Sequence, residues 1–116
     1  MSENNKKPQS VQFVYDLPPE GSGNWIEFGG ELRMGDIWDI ADAEETGDTR
    51  VLAKKLPRIV VAWQLLDSED QAVLTDEEEV LDLHNPEHYA SLTLSQYRAV
   101  AEAAGEYIRA LADVGN

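Results

Sequence analysis

The sequence predicts an α+β domain that is mainly α: an N-terminal β-hairpin followed by a small bundle of four to five helices. Three observations carry that expectation. Two short β-rich runs, Val11–Asp16 and Asn24–Phe28, are joined by Leu17-Pro18-Pro19-Glu20-Gly21-Ser22-Gly23, a segment made of turn chemistry. From Asp36 onward, apolar residues recur at three- and four-residue steps. Residues suited to cap helices precede several of these runs. At 116 residues, 42% of them apolar, the chain fits one small cored domain over 11–114 behind a flexible leader at 1–10.

In chain order, 11–30 reads as the hairpin, closed by Gly29-Gly30. A lone hairpin is marginal in water, so it must lie on helices or pair with another chain. Residues 36–46 read as a helix: Ile37, Ile40 and Ala41 share helical spacing, Asp36 and Asp39 suit the positive end of its dipole, and Gly47 stops it. Residues 49–66 read as a kinked helix, with Leu52, Leu56, Ile59, Val60 and Trp63 on one face and Arg50, Lys54 and Arg58 on the other. Pro57 sets the kink, because it lacks an N–H and clashes with the carbonyl of Ala53.

After a polar turn at 67–71, short helices are expected over 76–90. Thr75 and Glu78 have capping-box spacing, and Asn85-Pro86 is a cap followed by a first-turn proline. The longest helix is expected over 94–114, opened by a second capping box at Thr93 and Gln96. Its apolar stripe is Tyr97, Val100, Ala101, Ala104, Ile108 and Leu111.

Charge excludes several functions. With 23 Asp and Glu against 9 Lys and Arg, a net charge of −14 repels phosphate backbones and anionic membranes, so neither nucleic acid nor membrane is an expected partner. The absence of cysteine removes disulfides, thiolate catalysis and sulfur-ligated zinc. No signal-peptide pattern opens the sequence, and no run approaches the roughly 18 apolar residues of a membrane span, so a soluble, non-secreted protein is expected. Acids run without a base from Met34 to Thr49 and again from Ile59 to Tyr97. Between them, Arg50, Lys54 and Arg58 form a basic stripe that either neutralises nearby acids or meets the acidic surface of another copy, giving a homo-oligomer.

Two constellations bear on metal chemistry. His84-Asn85-Pro86-Glu87-His88 has the H-x-x-E-H spacing of one class of zinc peptidase, but Pro86 drives Asn85 out of helical geometry and keeps the imidazoles off one turn. Asp67, Glu69 and Glu78 fall at calcium-loop positions, but Ala72 stands where the sharp turn demands glycine. No glycine motif cradles a phosphate. The expectation is therefore a protein that is not an enzyme, with no catalytic, cofactor or metal residue.

The remaining signal is aromatic. Trp25, Trp38, Trp63, Tyr97 and Tyr107 are many for so short a chain, and the alanine-rich last helix offers shallow, groove-like faces. Trp38 sits at the edge of its helix's apolar stripe, the type of position that anchors a partner helix.

The order of these elements resembles the tail assembly chaperones of long-tailed, siphovirus-type bacteriophages. The most specific stretch is Ile59 to Thr75, which looks like that family's tryptophan, short apolar step, aspartate and turn, followed by a leucine and a helix cap. Asp70 and Ala72 stand where the family often has glycine and proline. The resemblance implies a chaperone of the bacterial host cytoplasm, absent from the mature virion, that coats the hydrophobic helical tape-measure protein and helps tail-tube subunits polymerise. Partner contacts are then expected at Ile37, Trp38, Tyr97, Tyr107 and Ile108. Two alternatives remain: an acidic DNA mimic that inhibits a nucleic-acid enzyme, and a structural or connector protein of the virion.

Overall fold

A computed structural model describes residues 13–30 and 32–114, with side chains to 111. The predicted leader and the first two hairpin residues lie outside the described residues. The architecture is α+β: a three-stranded antiparallel sheet, β1 (Val14–Asp16), β2 (Trp25–Phe28) and β3 (Val60–Gln64), with helices α1 (Met34–Thr46), α2 (Thr49–Lys55) and α3 (Leu94–Val114). Two 3-10 segments, Leu56–Arg58 and Pro86–Ser91, complete it.

The predicted hairpin forms as β1 and β2, with Tyr15 opposite Ile26. It gains a third strand from an unexpected place. The predicted helix over 49–66 ends at Lys55. The chain passes through the 3-10 turn containing Pro57 and emerges as β3, with Trp63 opposite Ile26 in the register. The cause is local. Pro57 loses a hydrogen bond and clashes with the preceding turn inside an α-helix, and the β-branched residues just beyond it, Ile59, Val60 and Val61, favour a pleated strand. Val60 is buried while its neighbour Val61 is half exposed, as successive strand residues point to opposite faces. Gly29 lets this pairing close: a Cβ there would lie 2.8 Å from Val61 Cγ2, and its N–H donates to the Ile59 carbonyl (2.7 Å).

The short helices predicted over 76–90 are half correct. Asn85 caps the Pro86–Ser91 turn as expected, its side-chain oxygen accepting the Glu87 N–H. Residues 65–81 instead form two tight extended turns, tied by bridges between Leu66 and Ala72 and between Leu74 and Val80. Thr75 Oγ1 accepts the N–H groups of Glu77 and Glu79, and Glu78 adopts φ +63°, so this threonine closes a turn rather than opening a helix.

At α1, Gly47 stops the helix in a left-handed conformation (φ +78°). At α3 the predicted capping box is present: Thr93 N–H donates to Gln96 Oε1 (2.8 Å), and Gln96 N–H donates to Thr93 Oγ1 (3.1 Å). The core lies between the sheet and α3, where Phe28 stacks on Tyr107 with ring centroids 5.4 Å apart and Phe13 meets the same ring edge-on. Ile26, Leu56, Ile59, Leu83 and Val100 fill the space around them.

Candidate functional site

A groove of about 570 Å³ lies where α2, the Pro86–Ser91 turn and the first turn of α3 converge. That size falls within the range of ligand-binding clefts. Each wall has a local cause. The Asn85-Pro86 cap starts the 3-10 turn that presents Pro86, Tyr89 and Ala90 to the groove. Tyr89 is fixed because its O–H donates to the Leu83 carbonyl (2.9 Å), and burial, with the nearby Asp82 charge second, pushes its phenol well above the ordinary tyrosine value. The Thr93 cap fixes the start of α3, leaving Leu94 61% exposed at the groove mouth. One turn on, Tyr97 reaches across to α2 and donates to the Thr49 carbonyl (3.3 Å). Its phenol is also raised, first by burial and then by the charges of Asp48 and Glu44.

The floor and walls are apolar, from Ala53, Leu92, Leu94 and the tyrosine rings, while Arg50 and Lys54 stand on the α2 rim and Glu87 on the other. Among the described residues, no carboxylate lies within ion-pair distance of Arg50 or Lys54. Arg58, predicted to share their stripe, instead turns to Asp36 at 3.4 Å. Lys55, off the line of that stripe, sits closer still, 2.7 Å from Asp36 and 3.4 Å from Asp39. The basic stripe is thus divided, with one part pinning α1 and the other flanking the groove.

The predicted partner-binding residues separate in the same way. Tyr97 lines the groove. Trp38 is 67% exposed on the outer face of α1, with Ile37 half-buried beside it. Tyr107 is a core residue, 1% exposed, whose O–H donates to the Gly30 carbonyl (2.6 Å), and Ile108 is half-buried against the same core. The tyrosine at 107 therefore offers no surface to a partner. Pro86, Tyr89, Leu92 and Leu94 were missed as groove residues. A signal existed for Leu94, three positions before Tyr97 and so on the same face of the helix.

The metal-like patterns resolve into backbone contacts. His84 Nε2 lies 2.9 Å from the Val60 carbonyl, whereas His88 Nδ1 accepts the Asp82 N–H. Asp67 Oδ1 accepts the N–H groups of Glu69 and Gln71, closing a turn. Among the described residues, no three His, Cys, Asp or Glu side chains form a group able to hold a metal ion. No helix there is long and apolar enough to cross a membrane. A second cavity, about 450 Å³, opens between β3 and the 65–81 turns beside Trp25 and Trp63.

Comparison with protein-family models, curated proteins and solved structures finds no match to this chain. The groove itself therefore supplies the chemistry on which a functional reading must rest.

Proposed function

We propose that this protein is an assembly chaperone that holds the apolar face of a helical partner in the groove between α2 and α3. The single observation that carries the reading is an apolar trough with two cations unpaired among the described residues, on a molecule whose net charge is −14. Amphipathic helices dock by laying an apolar stripe into such a trough. The surrounding negative charge keeps a complex with a hydrophobic client in solution. In the terms of the sequence resemblance, the client is the tape-measure protein of a long-tailed phage, handed on to tail-tube subunits in the host cytoplasm.

The DNA-mimic alternative is less well supported. Its carboxylates should form an uninterrupted field, yet Asp67 closes a turn, Asp48 caps α2, Asp36 is in an ion pair, and two cations flank the main groove.

The test is binding of a labelled amphipathic helical fragment of a tape-measure protein. Wild-type protein should bind it with little dependence on salt. Leu94→Glu, which places a charge at the groove mouth, should abolish binding without unfolding the domain. Equal binding by both proteins would overturn the reading. Recovery of the protein in purified particles would favour a structural role instead.

A further inference from the structure

The groove calls for an occupant with an apolar ridge and carboxylates along one side, and the outer face of α1 has that form. Met34, Trp38 and Ala41 follow one another at helical spacing and are all exposed, at 57% and 67% for the two large side chains. Asp42 and Glu45, also exposed, stand beside that ridge. No residue of α1 lines the groove, and Met34, Trp38 and Ala41 face outward, although Glu44 near the end of α1 lies close to Tyr97 at the groove's edge. A contact between the two surfaces must therefore be made between molecules.

We propose that α1 of one copy docks in the groove of another, with Trp38 against Tyr97, Tyr89 and Leu94 and with Asp42 and Glu45 facing Arg50 and Lys54. Three observations support this occupant. Trp38 is a large exposed aromatic, the residue type most enriched at interface hot spots. Arg50 and Lys54 have no carboxylate partner among the described residues, while α1 presents carboxylates and no base. Glu87, and Asp48 and Glu44 beside Tyr97, repel those carboxylates, which leaves the Arg50 and Lys54 side of the groove to receive them. The inference rests on the reading of the groove as a docking surface and adds that the protein's own α1 competes with the client for it.

Sedimentation velocity of the full chain, with no client present, tests the contact. Wild-type protein should grow in mass with concentration. Trp38→Ala, which keeps the groove, and the double variant Arg50→Glu/Lys54→Glu, which keeps the ridge, should each remain monomeric. Both alter exposed side chains, and circular dichroism checks that they fold. Mixed together, they should form a one-to-one dimer and nothing larger, because only one ridge and one intact groove are available. Trp38→Ala should weaken the self-contact by about thirtyfold or more.

The proposal is overturned if wild-type protein stays monomeric, if either variant assembles like wild type, or if the mixture stays monomeric. Loss of self-assembly alongside intact, Leu94-dependent client binding would defeat this inference and leave the chaperone reading standing. Self-assembly without client binding would do the reverse.

Discussion

Lys55 Nζ lies 2.7 Å from Asp36 Oδ1, joining the last turn of α2 to the first turn of α1 across 19 residues of chain. Asp36 is the one buried charged residue described, and the same carboxylate accepts the Arg33 N–H (3.2 Å) at the start of α1. One side chain thus closes a helix end and fixes a helix–helix crossing. Asp36→Ala should lower the thermal midpoint more than Arg58→Ala, because Arg58 is exposed and its contact is long.

The same carboxylate sets an acid limit. The Lys55 hydrogen bond is the largest influence on Asp36 and holds its carboxyl below the usual range. The folded state therefore binds this proton more weakly than the unfolded chain. The resulting stability is fully present above the ordinary aspartate value of about 3.9 and is lost as pH falls through the lowered one. Asp36→Asn should flatten the acid limb of a plot of thermal midpoint against pH. An unchanged limb would assign acid sensitivity to other carboxylates.

Tyr89 sets a limit at the other end. Its phenol is raised by burial, so its contribution is present below the ordinary tyrosine value of about 10 and is lost as pH rises toward the higher folded value. Tyr89→Phe should remove that part of the alkaline loss. At neutral pH it should cost about 0.5–1.5 kcal/mol in denaturant unfolding, through the lost hydrogen bond to Leu83.

Gly29 and Val61 should couple. A methyl group at Gly29 meets Val61 Cγ2 at 2.8 Å, so Gly29→Ala should destabilise by about 1–3 kcal/mol. Adding Val61→Ala should return part of that loss. A double-mutant cycle measures the coupling, and additive effects would contradict the close approach.

Two aromatic substitutions should behave in opposite ways. Tyr107→Ala empties a stacked core position and should cost about 3–5 kcal/mol, whereas Trp38→Ala should change stability by only about 0.5 kcal/mol. Denaturant unfolding measures both. A loss of binding in the Trp38 variant then reports on the surface.

The hairpin, α1, the Asn85 cap and α3 were legible in the sequence because each carries its own local signal: turn residues, a glycine stop, an Asn-Pro pair and a capping box. The strand at Val60–Gln64 was not, although Pro57 marked its boundary. Ile59, Val60 and Trp63 continue the helical period set by Leu52 and Leu56, and the pairing with β2 that makes a strand of Val60–Gln64 is non-local. Thr75 misled for a different reason. A threonine oxygen satisfies backbone N–H groups equally well in a turn and at a helix start. The groove was legible only in pieces. Tyr97, Arg50 and Lys54 were each singled out, but their meeting depends on how α2 lies against the start of α3.

The hydrogen bond from Tyr107 to Gly30 spans 77 residues of chain. Synthesis delivers the sheet strands first and α3 afterwards, so the inner face of β2 waits uncovered until Tyr107 has been made and can stack on Phe28. Leu94 and Tyr97, also on α3, arrive equally late. A nascent chain still on the ribosome therefore has neither a closed core nor a finished groove, and capacity for a partner begins only once translation has passed α3.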